Sequence, residues 1–321
     1  MMKKNEYYAQ AINSLNNFRC EALQKQADNI KLAYKKIPRL SEIDEQLKKN
    51  MSDFMKASLS EDFKQEDAEK YKATSLDLQA TRAELLYENG FSIEFLNVQY
   101  HCPECEDEGY INGKMCKCLK KLLAEEYMNH SNISSAYRSR TFKNIDLSLY
   151  GENAEQVSKV IVPFCKNYVK EFGKKKQNLF FYGAPGCGKT FMSTVIGTEL
   201  INNNVFVFYT PAQDMISSFE AEKFGKEISS AVETDIYTEC ELLIIDDLGT
   251  EFSTQFAESV LYNVINNRIN KNLPTIISSN YGPDEFDGIY NDRLISRLTY
   301  EFTVISFPDI DLRKQKKEKK K

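Results

Sequence analysis

The chain has 321 residues, enough for two domains, and 42% of them are hydrophobic, which is ample for an ordinary core. A net charge of −5 excludes a whole-chain polyanion binder, so any nucleic-acid contact must be local, with Lys174–Lys176 and Arg313–Lys321 as candidates. Either run reads equally as a solvated charge cluster. No apolar run is long enough to span a membrane, and the opening MMKKNEYYAQ lacks the apolar centre of a signal peptide.

Residues 1–100 are rich in Lys, Glu and Gln and nearly free of glycine. From Glu6 to Lys36, Tyr7, Ala11, Leu15, Phe18, Leu23 and Ile30 recur at helical spacing, and Pro38 ends that helix. Ser41-Glu-Ile-Asp44 has the form of a capping box opening a second helix. A third helix is expected over Ser60–Glu88, closed by Gly90. Such a helical layer can pack on itself, pair with a partner's helices or self-associate, and the sequence does not choose among these uses.

His101-Cys-Pro-Glu-Cys105 and Cys116-Lys-Cys118 flank a short turn carrying Gly109 and Gly113. Four of the eight cysteines crowd here and the other four are isolated, which suits a reducing cytoplasm with one metal site rather than a disulfide framework. Cys102, Cys105, Cys116 and Cys118 can close a tetrahedral structural Zn²⁺ site, stabilising a module too small for its own core. Free thiols or a redox pair are the competing readings, and His101 could replace one thiolate. Four protein ligands leave no open position for catalysis.

A helix over Leu119–His130 leaves this knuckle, and a polar joining segment sets the division of the chain at 1–130 and 131–321. Glu152–Lys170 reads as an amphipathic helix. Asn178–Thr190, NLFFYGAPGCGKT, is an apolar strand, a glycine-rich loop and the start of a helix, with full G-x-x-x-x-G-K-T spacing. Strands are expected at Val205–Tyr209, Glu241–Asp247, Pro274–Ser279 and Glu301–Phe307. Helices fall between them at Pro211–Glu220, in a polar stretch to Thr238, and at Thr254–Lys271 and Tyr290–Leu298. Continuous apolar strands alternating with helices mean an α/β fold, a parallel sheet covered on both faces. Ligands of such sheets sit at the carboxyl ends of the strands, where Gly183, Asp246 and Asn280 all fall.

The loop Gly183-Ala184-Pro185-Gly186-Cys187-Gly188-Lys189-Thr190 suits a nucleoside triphosphate. Its glycines let backbone N–H groups turn inward, Lys189 supplies a charge for the β/γ-phosphates, and the Thr190 hydroxyl can ligate Mg²⁺. Leu242–Asp247 has the Walker B pattern, in which Asp246 would hold Mg²⁺ and Asp247 would orient and deprotonate water. Asn280 could position that water. Arg293 and Arg297, four apart, share one helix face, from which an arginine can reach a neighbouring subunit's γ-phosphate; the competing reading is a surface ion pair.

Together GAPGCGKT, LLIIDDLGTE, TIISSN and DRLISRL, with KKIPRLSEID and ENGF…HCPEC…CKC before them, resemble the DnaC/DnaI family of replicative helicase loaders, AAA+ ATPases. The resemblance implies a P-loop AAA+ core preceded by a helical, zinc-bearing amino domain. It also implies ATP and Mg²⁺ as cofactors, Asp247 and Asn280 serving hydrolysis, and Arg297 as a trans-acting arginine finger. The implied partners are a hexameric DnaB-type helicase, single-stranded DNA and further copies of the chain. The acid pair is Asp-Asp where most AAA+ proteins have Asp-Glu, which implies slow, switch-like hydrolysis. Asp311-Leu-Arg313 resembles the loaders' sensor II segment, and too little chain follows for a full helical lid. An IstB-type transposition helper shares the same core and is the alternative.

Overall fold

The computed structural model describes residues 4–60, 63–225, 234–252 and 254–319. Residues 226–233 of the polar stretch expected to run to Thr238 fall outside the described residues, as do Lys320 and Lys321 of the basic tail. The chain forms two compact units, one of Ile12–Cys118 and one of Met1–Ala11 with Leu119–Lys321.

The first segments are helices α1 (Lys4–Lys36), α2 (Pro38–Ala57) and α3 (Gln65–Glu88). Ala33, Ile37, Leu40, Leu86 and Leu96 form a small core against which Tyr34, Phe91 and Phe95 pack. Asp44 ties it together, accepting from the Tyr34 hydroxyl and from Arg82 Nε, each at 2.7 Å. The expected capping box fails. Pro38, whose fixed φ and missing N–H suit a first helical turn, opens α2 three residues earlier, and Ser41 Oγ donates back to the Pro38 carbonyl at 2.7 Å. Leu23 is exposed, the inward position being taken by Ala22. A two-residue hairpin, β1 (Tyr110–Ile111) and β2 (Lys114–Met115), turns through Asn112 and Gly113, both at positive φ as this tightest hairpin turn requires.

Helix α4 (Lys117–His130) contributes Leu119, Leu123 and Tyr127 to the second unit's buried residues. The Glu152–Lys170 helix is not one regular helix. A π turn over Val157–Ile161 precedes α5 (Val162–Glu171), because Pro163 offers no N–H to continue the regular ladder. Strands β3 (Asn178–Tyr182), β4 (Val207–Pro211), β5 (Leu242–Leu248), β6 (Thr275–Ser279) and β7 (Phe302–Ser306) make a wholly parallel sheet in the order β4-β5-β6-β3-β7. Leu242–Ile245 and the whole of β6 are buried, as strands covered on both faces must be. Helices α6 (Lys189–Asn202), α7 (Ala212–Phe224), α8 (Gln255–Asn270) and α9 (Asp292–Tyr300) connect the strands. A seven-residue helix, α10 (Leu312–Glu318), follows β7. This order inserts β6 between the phosphate-loop strand β3 and the acid strand β5, so the ends of all three open on one space.

Candidate active site

The loop Gly183–Gly188 leaves β3 and enters α6 with three glycines at positive φ: Gly183 (145°), Gly186 (83°) and Gly188 (104°). All three also lack room: a Cβ on Gly183 would lie 2.9 Å from the Phe307 carbonyl oxygen. A Cβ on Gly186 would lie 2.4 Å from Asp311 Oδ1, and one on Gly188 would lie 2.8 Å from the Tyr150 hydroxyl. The Leu312 N–H donates to the Gly186 carbonyl at 3.1 Å, so the segment after β7 is fastened onto the loop. Cys187 is buried, and burial pushes its thiol pKa up.

Lys189 is 5% exposed. Its ammonium donates to the carbonyls of Gly183 (2.7 Å) and Ala184 (3.0 Å) and to Asn280 Oδ1 (3.0 Å). Asn280 is thereby brought from the end of β6 to the same cation. Asp246, also buried, accepts at Oδ1 from the Thr190 hydroxyl (3.1 Å) and from Ser278 Oγ, and at Oδ2 from the Tyr209 hydroxyl (2.6 Å). Its neighbour Asp247 differs. The pairing of β5 with β6 shifts register between Ile245 and Leu248, and Asp247 takes φ 55°. Partial desolvation foremost, and then the charge of Asp246, raise the carboxyl of this exposed residue above its ordinary value, against the opposing charges of Lys189 and Arg313. Lys189, Thr190, Asp247 and Asn280 line one cavity of about 820 Å³, walled by Tyr150 and Arg313.

Crowded glycines, a buried lysine and a hydroxyl–carboxylate pair are the donor set that a triphosphate with Mg²⁺ needs. Arg297 stands apart. It lies on α9, donates to Glu301 Oε1 at 3.5 Å, and is not among the cavity's lining residues; Arg293, one turn earlier, is exposed. Of the basic tail, Lys316 and Lys319 line the cavity together with Arg313. Lys174, the other basic candidate, pairs with Glu171 at 3.7 Å.

Tyr209, Ser278 and Tyr150 were not legible as site residues, and Asp311 was legible only as part of the segment resembling sensor II. The only hint was polar character at strand ends, in FYTP and IISSN. Arg268 was also hidden in an ordinary helix pattern. It is fully buried, donating to the carbonyls of Tyr237, Cys240 and Pro274 and to Thr275 Oγ1, and it ties α8 to the starts of β5 and β6.

In the Ile12–Cys118 unit, the sulfurs of Cys102, Cys105, Cys116 and Cys118 lie within 4.8 Å of one another. The Cys102–Cys116 and Cys105–Cys118 separations are 3.7 and 3.3 Å. Tetrahedral zinc with ~2.3 Å bonds sets sulfurs roughly 3.8 Å apart, so the cluster fits the metal. Supporting contacts come from the Gly109 N–H to Cys105 Sγ (3.3 Å) and from Asp107, which accepts the His101 and Cys102 N–H groups. The His101 ring stacks on Phe18 at 4.4 Å and is not part of the converging group.

Sheet, loop and cavity define a P-loop nucleotide-binding protein of the AAA+ class. The chain belongs to the family described as IstB-like ATP binding protein, whose pattern matches residues 121–320. It is similar to the replicative helicase loader DnaI of Bacillus subtilis (strain 168), 27% identical over 221 residues covering 60% of this chain and 68% of that protein. It is also similar to the replicative helicase loader DnaC of Buchnera aphidicola subsp. Baizongia pistaciae (strain Bp), 22% identical over 180 residues covering 56% of this chain and 71% of that protein. A crystal structure of DnaI shares a TM-score of 0.45 at 22% identity, over 57% of this chain and 95% of that one. Among the described residues, no helix is long and apolar enough to cross a membrane.

Proposed function

We propose that this chain is an ATP-dependent loader that delivers a DnaB-type replicative helicase to single-stranded DNA at the initiation of replication, acting in the cytoplasm. The observation that carries the proposal is the similarity to replicative helicase loaders from two bacteria, in a chain whose triphosphate donor set is fully assembled. Residues 1–130, with zinc held by the four cysteines, form the partner-docking domain, and residues 131–321 the ATPase domain.

The geometry supports a role for each residue. Lys189 exchanges its loop carbonyls for phosphate oxygens, which are stronger acceptors. Thr190 and Asp246 would hold Mg²⁺, which when bound would supply charge neutralisation at the phosphates. Asp247, with its raised pKa, is a better base toward water than an ordinary aspartate, and Asn280, held beside Lys189 in the same cavity, orients that water. Arg297 has no reach to its own cavity, and we assign it to the site of an adjacent copy in a homo-oligomer. A short Asp in the base position supports slow hydrolysis suited to a switch.

A second reading, a helper ATPase for a transposase, is favoured by the IstB-like description of the matching family. The four-cysteine cluster favours the loader. A pull-down from purified components separates them: the host's ring helicase should be retained, and retention should depend on residues 1–130. Capture of a transposase in place of the helicase would end the loader reading. ATP turnover should disappear in Lys189→Ala and Asp247→Asn.

A further inference from the structure

We propose that Tyr209 is a positioning residue of the metal–nucleotide site, its hydroxyl holding the Asp246 carboxylate in the orientation that meets a divalent cation. The inference rests on the ATP-site reading above. A carboxylate rotates easily about its last bond, and here three elements stop it. Thr190 of α6 and Ser278 of β6 donate to Oδ1, while Tyr209 of β4 donates to Oδ2 at 2.6 Å. Each carboxylate oxygen accepts about two hydrogen bonds. Oδ1 is therefore filled, and Oδ2 keeps one lone pair for the cation's hydration shell. The phenol is the sole donor given to Oδ2 among the described residues, so it occupies one lone pair of that oxygen and, with the two bonds to Oδ1, fixes where the other points.

The phenol is itself held firmly. Tyr209 lies on the edge strand β4, outside which residues 131–132 are fastened to its backbone. Its N–H donates to the Ser131 carbonyl at 2.8 Å, and its own carbonyl accepts from Asn132 Nδ2 at 3.0 Å. Asn132 reaches it by adopting φ 58°, a conformation asparagine tolerates better than most residues. A tyrosine phenol, with an ordinary pKa of about 10, is an O–H donor at neutral pH.

The test uses the full chain and a fluorescent ATP analogue, with binding titrated against Mg²⁺. In Tyr209→Phe the Mg²⁺ concentration at half-saturation should rise about tenfold, the expected effect of losing one hydrogen bond to a charged group. Affinity without Mg²⁺ should stay at the wild-type value, which a general loosening of the site would not allow, while the melting temperature without nucleotide should fall modestly because buried Asp246 loses one donor. An unchanged or lowered Mg²⁺ requirement overturns the proposal. Should Tyr209→Phe fail to fold, Asn132→Ala takes its place, since it loosens the backbone that aims the phenol; a raised Mg²⁺ requirement supports the inference and an unchanged one overturns it. If the wild-type chain binds no analogue at any Mg²⁺ concentration, the ATP-site reading itself falls. Asp246→Asn, which should lose the Mg²⁺ dependence altogether, marks the limit of the effect.

Discussion

Gly186→Ala tests how the phosphate loop and the segment after β7 depend on each other. Two costs add. At φ 83° an alanine loses about 1–2 kcal/mol relative to glycine. Its Cβ would also stand 2.4 Å from Asp311 Oδ1 and 2.9 Å from its Cγ, so that side chain must turn away. Asp311 is the N-cap of α10, accepting from the N–H groups of Arg313 (2.9 Å) and Lys314 (3.4 Å), and loss of a cap costs roughly 1 kcal/mol. The total is about 2–3 kcal/mol, which for a unit of this size lowers the melting temperature by roughly 5–10 °C. The assay is calorimetry of the full chain, following the transition that moves up with Mg-ATP. Asp311→Ala alone should cost about the cap. In the double variant the cap is lost only once, so the combined loss should fall short of the sum of the singles by roughly 1 kcal/mol. Strict additivity, or a Gly186→Ala protein that melts like wild type, would refute the account.

Three further outcomes are expected. The purified chain should carry one zinc by elemental analysis, and Cys105→Ser, which removes the sulfur accepting the Gly109 N–H, should release it and expose residues 102–118 to proteolysis. Arg268→Met should destabilise the ATPase unit by about 3 kcal/mol or more in urea titration, because three carbonyls and the Thr275 hydroxyl lose their buried donor. Asp247→Asn should raise the melting temperature at neutral pH while abolishing turnover. A carboxyl whose folded pKa is raised favours the fold when protonated and opposes it once pH rises through that pKa. The gain should therefore shrink as pH falls into the ordinary carboxylate range, and a gain that grew on acidification would contradict the assigned cause.

Local pattern made the sheet and the phosphate loop legible. A continuous apolar run as short as Leu242–Ile245, closed by two acids and set between helical patterns, reads as a strand buried on both faces, and G-x-x-x-x-G-K-T reports its own geometry within eight residues. Strand ends drifted where apolar character outlasts pairing: Val205 and Phe206 read as strand, yet β4 begins at Val207. The capping box at Ser41 lost to Pro38, whose ring fixes the first turn at less cost than a side-chain hydrogen bond recovers. What could not be read were contacts between residues far apart in the chain. Tyr209 and Asp246 are 37 residues apart, and Asp311 meets a loop more than a hundred residues earlier. No periodicity or spacing links such pairs, because only the folded sheet brings their strand ends together. Arg268 was missed for a related reason: on a helix it looks like any solvent-facing cation until the neighbouring strands enclose it.

The slip in register at the end of β5 has a geometric consequence for the adjacent acids. Along an unbroken strand, successive side chains leave by opposite faces, and a neighbouring pair could never serve one ligand. The extra residue cancels that alternation for a single step, leaving Asp246 packed beneath the threonine and Asp247 open to the cavity above it. The only residues between Ile245 and Leu248 are the two acids, so deleting either would straighten the strand and leave a single carboxylate; the irregularity and the acid pair stand or fall together.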